Sequence, residues 1–351
     1  MNTVSLPKRL GLILLLCCFG VIYSTPSDAQ SFTLTNLRFT AWSYDGRWIA
    51  GGGDQGYVFV WDATTQQLEF VLEEHTAAIC SLAWSHNSRW LASGGCNGKV
   101  IIWNIEGRLV YRTHYDSTVA ATSVAWNSTD EWLGICYPEV SMTAIHNTSD
   151  GNLVWDINRG SPIAFSPDNR RLSFANGDSI ALYDYVAFQN ERFEDSDNYL
   201  LSMDWRPDGA FVAGGGGVQT GSFTVWEAAT GAIVIDTYGQ HTDTIYSVDW
   251  SPDGRYVLTG GRDGKVLVWD AQTWQPVQTF TSPTGSPVTS VSWGADSRSF
   301  VFVDESANLH IEHVGETAII PPGGDPVCPG GGGVWVWENG FPIFICQPNW
   351  E

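Results

Sequence analysis

Two groups of residues have the side-chain types of a metal site. Acidic residues cluster at positions 191–197, and carboxylates are the ligands that calcium prefers. The cluster lacks the glycine spacing of a calcium-binding loop, so we interpret it as a solvated connection. His310 and His313 lie three residues apart in an apolar stretch. On a β-strand they would face opposite ways, so we do not expect them to share an ion.

The chain contains no nucleophile-elbow, zinc-protease or phosphate-loop pattern. We therefore expect no catalytic residues, no metal and no cofactor. An enzyme of unknown reaction, built on the fold that is predicted below, is the alternative, because one fold can host many functions.

The composition narrows the classes of partner. The 351 residues include 17 Lys and Arg against 38 Asp and Glu, so the formal net charge is −21. Duplex nucleic acid and anionic membranes attract proteins mainly through Lys and Arg, so neither is an expected partner. The 18 Trp and 37 Gly residues favour many short strands joined by tight turns.

The first residues have the layout of a secretory signal. Lys8 and Arg9 precede an apolar run at residues 10–22, and small residues end at Ala29. The run is shorter than the ~20 residues of a spanning helix. We expect residues 1–29 to be a signal peptide cleaved after Ala29, which predicts a secreted or extracytoplasmic protein. The alternatives are a membrane anchor and a lipid-anchored Cys17 or Cys18.

Five cysteines follow this segment, namely Cys80, Cys96, Cys136, Cys328 and Cys346. Disulfides are permitted in an oxidising compartment, and the odd number leaves at least one thiol unpaired or paired elsewhere.

One pattern recurs seven times along the chain. It is centred on an aromatic residue followed by a turn, and these anchor aromatics are Trp42, Trp84, Trp126, Phe165, Trp205, Trp250 and Trp293. In one copy, residues 246–250, 256–259, 265–269 and 276–280 alternate apolar and polar side chains between Pro-Asp-Gly, Asp-Gly and Ala-Gln-Thr turns. Four short antiparallel strands per copy predict a propeller blade. The fold class is therefore all-β, a seven-bladed β-propeller.

The copies resemble the WD40-repeat family over residues 31–320. The resemblance is strongest from His75-Thr76 to Trp103-Asn104 and from His241-Thr242 to Trp269-Asp270. It implies two structural hydrogen-bond chains rather than catalytic or metal sites: His75, Ser93, Asn97 and Trp103, and His241, Thr259, Asp263 and Trp269.

The resemblance also implies that proteins bind to the face where the innermost strands begin. The matching positions are Arg38, Asp54, Cys80, Cys96, Tyr199, Leu201, Tyr246 and Arg262. Arg and Tyr are frequent interface anchors, although some of these residues could simply cap strands. The function implied is a non-catalytic protein-interaction scaffold. Cys80 begins one strand and Cys96 ends its antiparallel neighbour, so a Cys80–Cys96 disulfide is our hypothesis, with Cys136 as a buried free thiol.

Rings of this family usually close by borrowing one strand from the far terminus. Residues 31–35 are our first choice for that strand, beside residues 309–314, and residues 317–320 are the alternative. We expect the propeller over residues 30–320 and a tail over 321–351. The tail contains a Pro/Gly-rich linker and a β-hairpin around Asn339-Gly340 that a Cys328–Cys346 disulfide would staple. Its tryptophans raise a second alternative function, a cell-surface carbohydrate-binding module.

Overall fold

The computed structural model describes residues 2–5, 31–34, 37–115, 119–158, 160–176, 179–187, 189–192, 199–217, 221–315, 333–338 and 341–346. These residues form β-strands and turns, with one short 3-10 helix at Pro138–Val140. The repeats build seven antiparallel sheets in which the strands lie side by side in chain order. The first strand of each sheet contacts the first strand of the next, and the first strand of the last sheet contacts that of the first. The chain is therefore a seven-bladed β-propeller, as the repeat predicts.

The strands of the first four blades run from the innermost to the outermost as follows. Blade 1 has Leu37–Trp42, Trp48–Gly53, Tyr57–Asp62 and Leu68–Glu73; blade 2 has Ile79–Trp84, Trp90–Gly95, Lys99–Asn104 and Leu109–Tyr115. Blade 3 has Ser123–Trp126, Trp132–Tyr137, Met142–Asn147 and Leu153–Ile157; blade 4 has Ile163–Phe165, Arg171–Asn176, Ser179–Asp184 and Gln189–Arg192.

The last three blades continue in the same order. Blade 5 has Leu200–Trp205, Phe211–Gly216, Ser222–Glu227 and Ile233–Thr237; blade 6 has Ile245–Trp250, Tyr256–Gly261, Lys265–Asp270 and Gln275–Thr281; blade 7 has Val288–Trp293, Ser299–Asp304 and Leu309–His313. We call the face at which the innermost strands begin the upper face, and the face at which they end the lower face.

The core of the propeller is divided among the junctions between blades. The described residues form seven buried hydrophobic clusters, one between each pair of neighbouring blades, including one between blades 7 and 1. The anchor aromatics pack in these junctions. They also form hydrogen bonds across them: the indole Nε1 of Trp84 donates to the carbonyl of Ala41 at 2.9 Å, and that of Trp126 donates to the carbonyl of Ala83 at 3.0 Å. Burial of an aromatic side chain at each junction therefore also fixes the position of one blade against the next.

Serine side chains join the innermost strands of neighbouring blades. Ser81 Oγ accepts from the amide of Val124 at 3.0 Å, and Ser290 Oγ accepts from the amide of Thr40 at 3.1 Å, which joins blade 7 to blade 1. A second set of bonds lies at the lower face. There the turn residue Asp130, with a positive φ of 61°, accepts from the amide of His86 in blade 2 at 2.7 Å. Hydrogen bonds therefore connect neighbouring blades both along the innermost strands and at the lower face.

The expected closure by residues 31–35 is wrong. Ser31–Leu34 pairs antiparallel with Asn2–Ser5 instead of with the edge of blade 7, which has three strands among the described residues. Residues 35–36 alone separate Ser31–Leu34 from the innermost strand of blade 1. A two-residue link spans at most ~11 Å, whereas an outermost strand lies three strand spacings, ~14 Å, from the innermost strand of its sheet. The link after blade 1, residues 74–78, is long enough for that crossing.

The C-terminal tail contains the expected hairpin. Gly333–Glu338 pairs antiparallel with Phe341–Cys346, and Glu338 lies opposite Phe341. The alternative closing segment at residues 317–320, Cys328 and the expected cleavage site lie outside the described residues. No helix in the described part of the chain is long and apolar enough to cross a membrane.

Candidate functional site

A β-bulge lies near the start of the innermost strand in five blades. The register of the first two strands skips one residue at each bulge, and the skipped residues are Arg38, Cys80, Leu201, Tyr246 and Thr289. A bulge leaves the extra residue unpaired and re-aims its side chain. The innermost strands of blades 3 and 4 begin later and have no such bulge. Four of the eight face residues expected from the sequence therefore occupy one repeated structural position at the rim of the central channel.

The bulge residue and the turn after the second strand form a pair in two blades. In blade 1, Arg38 Nε lies 2.7 Å from Asp54 Oδ1, and both side chains are partly exposed. In blade 2 the same two positions hold Cys80 and Cys96, which form a disulfide with a Cα–Cα distance of 5.4 Å. The hypothesis of a Cys80–Cys96 disulfide is confirmed, and Cys136 is free and buried.

Blade 6 differs from this arrangement. Arg262 Nε does not pair with the bulge residue Tyr246 but lies 3.9 Å from Asp243 Oδ2 in the preceding loop. Its side chain is 53% exposed, which leaves much of the guanidinium open to a partner.

Blade 5 presents the apolar part of the upper rim. Tyr199 is 58% exposed and Leu201 is 40% exposed, although both are of a size that is normally buried in a core. Tyr246, at the bulge position of the neighbouring blade 6, is half-buried. The rim therefore combines an apolar segment on blades 5 and 6 with charged pairs on blades 1 and 6.

Charges across the rim interact. The hydrogen bond that Arg38 donates to Asp54 is the main cause that raises the pKa of Arg38, and the charges of Glu305 and Tyr246 add to it. Glu305 follows the second strand of blade 7, at the position that Asp54 holds in blade 1. The sequence reasoning did not name Thr289 and Glu305, although the alignment of the repeats contained the signal that would have found them.

The hydrogen-bond chain of blade 6 lies directly beneath this face. His241 Nδ1 lies 2.9 Å from Asp263 Oδ1, His241 Nε2 lies 2.8 Å from Thr259 Oγ1, and Trp269 Nε1 donates to Thr259 Oγ1 at 2.9 Å. Burial alone would raise the pKa of Asp263, but the hydrogen bond and charge of His241 hold it below its usual value. The chain anchors the loop before blade 6 to the turn that carries Arg262.

Blade 2 holds a shorter version of this chain. His75 Nε2 lies 2.6 Å from Ser93 Oγ, to which Trp103 Nε1 also donates at 2.7 Å. Asn97 donates to Thr76 rather than bonding to His75, whose Nδ1 is buried without a partner. Burial, with a smaller contribution from Lys99, lowers the pKa of His75 to about 4.

The central channel contains an acidic pair that the sequence reasoning missed. The channel has a volume of about 600 Å³, and its lining residues include Asp204 and Asp249. Both occupy the position just before the anchor aromatic, where Ala41, Ala83 and Ala125 stand in the first three blades. An acid at a position that holds alanine in blades 1 to 4 and serine in blade 7 was the available signal.

The remaining sequence candidates are His310, His313 and the acidic cluster. The two histidines bond to different residues. His310 Nε2 lies 3.1 Å from Asp304 Oδ2, while His313 Nδ1 lies 2.9 Å from Ser299 Oγ. The side chains of the acidic cluster at residues 191–197 are not described. Among the described residues, no group of three or more His, Cys, Asp and Glu side chains could hold a metal ion.

Comparison with known proteins identifies the repeat. Residues 30–62, 66–104 and 233–270 match the family model described as WD domain, G-beta repeat. These segments contain all four strands of blade 1, the outermost strand of blade 5 and the three inner strands of blades 2 and 6, with the residues of both histidine hydrogen-bond chains. No curated protein shows significant similarity to the chain.

Proposed function

Because the chain belongs to the WD40-repeat family and folds as a seven-bladed propeller, we propose that it is a non-catalytic scaffold that binds protein partners through its upper face. Propellers of this family are typically interaction scaffolds. The observation that carries the proposal is the series of bulges, which sets a variable side chain at the same rim position in five blades.

The chemistry of the rim supports a protein partner. Tyr and Arg are the residues that most often act as interface anchors, and here Tyr199, Tyr246 and Arg262 lie around one opening. The rigid ring beneath them reduces the entropy lost on binding. The imidazoles of His75 and His241 are already held in hydrogen bonds below the surface, so they serve the scaffold in this proposal.

The proposed location is outside the cytoplasm. The layout of the first 29 residues is that of a secretory signal. The Cys80–Cys96 disulfide supports this assignment, because such bonds persist in oxidising compartments.

The test is capture of partners by the full-length mature chain, compared with rim variants. Tyr246→Ala and Arg262→Ala should each reduce capture from the envelope fraction of the exporting cell by about tenfold, as expected for hot-spot residues. Tyr111→Ala is the matched control, because Tyr111 is 43% exposed on the outermost strand of blade 2, far from the rim. Unchanged capture by both rim variants, at unchanged thermal stability, would reject the upper face as the binding site.

The same assay separates the alternative of sugar binding. Deletion of residues 321–351 should leave protein capture intact if the rim is the site. Loss of capture on deletion, together with binding of the intact chain to polysaccharide beads, would assign the activity to the tail instead.

A further inference from the structure

The Cys80–Cys96 disulfide lies at the surface of the upper face rather than in the core. Cys96 is exposed, and Cys80 is half-buried at the bulge of the innermost strand. Thiol–disulfide exchange requires a thiolate to reach one of the two sulfur atoms, so its rate depends on access, and exposed disulfides are the labile or regulatory ones. Cys96 is therefore the half of this disulfide that a thiolate can approach in the folded protein.

The bulge of the innermost strand forms without this bond in other blades. In blades 5, 6 and 7 the two equivalent positions cannot form a disulfide, because they hold Leu201 and Gly217, Tyr246 and Arg262, and Thr289 and Glu305. The main-chain bond beside the bulge is the same with and without the disulfide. The amide of Cys96 donates to the carbonyl of Ala78 at 2.8 Å, and the amide of Arg262 donates to that of Thr244 at 2.8 Å. Loss of the disulfide should therefore leave blade 2 folded.

The turn that follows the second strand is anchored more weakly in blade 2 than in blade 6. In blade 6 the carboxyl group of Asp263 lies 2.9 Å from His241 Nδ1. In blade 2 the side-chain amide of the equivalent Asn97 donates to Thr76 Oγ1 at 3.1 Å, at an exposed position, and His75 Nδ1 has no partner. The disulfide thus provides part of the anchoring that the histidine–aspartate pair provides in blade 6.

We propose that the Cys80–Cys96 disulfide is an exchangeable, redox-sensitive clasp of the upper face, which thiolates attack at Cys96. In the first step one thiolate of a dithiol bonds to Cys96 Sγ, the S–S bond breaks, and Cys80 Sγ receives the electron pair and a proton. In the second step the other thiolate of the dithiol displaces Cys96 Sγ, which receives the electron pair and a proton. The dithiol leaves as a disulfide, so two electrons and two protons have passed to the two cysteines.

Reduction should loosen the turn at residues 96–98 while the blade remains folded. The bonds that remain include the main-chain bond to Ala78 and an exposed bond from Lys99 Nζ to the carbonyl of Glu74 at 2.7 Å. Segments held mainly by exposed hydrogen bonds open more readily than buried ones, so the amides of this turn should exchange with solvent faster after reduction. This inference goes beyond the proposed function and holds whichever partner the upper face binds.

The test of direct attack is reaction of the full mature chain with reduced glutathione, followed by acid trapping and peptide mass spectrometry. We expect a glutathione adduct on Cys96, formed within about tenfold of the rate in the urea-unfolded chain, because access sets the rate. A disulfide that reacts only after global unfolding would react at least about 10³-fold more slowly in water, and its rate would rise steeply with low concentrations of urea. That result, or an adduct confined to Cys80, would overturn the proposal.

The test of the loosened turn is hydrogen exchange before and after reduction with dithiothreitol. Peptides that span residues 96–98 should exchange at least about tenfold faster after reduction, whereas peptides around Arg262 in blade 6 should not change. Equal exchange in both states would show that the bond does not hold the turn, and would reject the clasp.

A matched variant separates this disulfide from the other cysteines of the chain. Cys80→Arg/Cys96→Asp copies the residue types that blade 1 has at the two equivalent positions, Arg38 and Asp54. It should keep the bulge, and its turn at residues 96–98 should not respond to dithiothreitol. A response as large as that of the unaltered chain would assign the loosening to other cysteines and contradict the proposal.

Discussion

Cys80 and Cys96 are joined by a disulfide at the two repeat positions where blade 1 has the Arg38–Asp54 ion pair. A covalent bond and an ion pair therefore occupy equivalent positions in neighbouring blades. Each links the bulge of the innermost strand to the turn after the second strand. An exposed ion pair contributes about 0–1 kcal/mol to stability, whereas a disulfide acts mainly by restricting the unfolded chain.

Loss of this disulfide should be measurable. The cysteines are 16 residues apart, and a loop of this length corresponds to a stabilisation of about 3 kcal/mol in the loop-entropy description. We expect the Cys80→Ser/Cys96→Ser double variant to lower the free energy of unfolding by up to that amount in urea titrations. Arg38→Ala, which breaks the equivalent ion pair, should cost less than about 1 kcal/mol.

Peptide mass spectrometry without reduction checks the pairing itself. It should recover a Cys80–Cys96 peptide and an unmodified Cys136, because burial raises the pKa of the Cys136 thiol to about 11 and keeps it unreactive in the folded protein. The same digest tests the predicted Cys328–Cys346 bridge of the tail. A Cys96–Cys136 peptide would contradict the assignment.

The incomplete hydrogen-bond chain of blade 2 can be completed by substitution. His75 Nδ1 is buried without a partner, whereas His241 Nδ1 in blade 6 is bonded to Asp263. Asn97→Asp should provide the missing acceptor and raise the free energy of unfolding by about 1–2 kcal/mol, as for a hydrogen bond to a charged group. Asp263→Asn should have the opposite effect. Equal or lower stability in Asn97→Asp would show that the side chain cannot turn to His75.

The strand residue beside the His241–Asp263 pair must be a glycine. A Cβ on Gly261 would lie 2.6 Å from His241 Nδ1 and 2.9 Å from Asp263 Oδ1. Gly261→Ala should therefore force the pair apart and cost about 1–3 kcal/mol of stability, the range for overpacking. At Gly160 the nearest atom to such a Cβ is 3.7 Å away, so Gly160→Ala is the control and should unfold like the wild type in thermal denaturation.

Acid should destabilise the protein through protonation of His114. Burial, with His146 and Arg112 nearby, lowers the pKa of His114 to about 4. Because an unfolded histidine binds its proton near pH 6.5, stability should fall as the pH decreases from about 6.5 to 4, by up to about tenfold in the unfolding constant per pH unit. His114→Gln should reduce this loss in urea titrations at pH 6 and pH 4.5. An NMR titration of His114 near pH 6.5 would contradict the prediction.

The sequence alone was enough to predict the number of blades and the positions of their strands. Turn chemistry and strand periodicity are local properties, so Pro-Asp-Gly and Asp-Gly segments and the recurring anchor aromatics indicate strand ends without knowledge of the rest of the chain. Gly254 and Gly264 have the positive φ values, 69° and 76°, that these turns require.

Relations between blades depended on the tertiary structure. Asp204 and Asp249 lie in different repeats, and only the closed ring brings both side chains to the lining of one channel. The closing strand expected from the sequence is wrong because its link to Leu37 is too short to cross from the edge of a blade to its centre. The length of this link is known only when the ends of both strands are known. The sequence determined which residues each blade contains, because those signals are local. The folded ring decided which side chains meet across the channel and at the rim, because these contacts depend on how the blades are placed around a common axis.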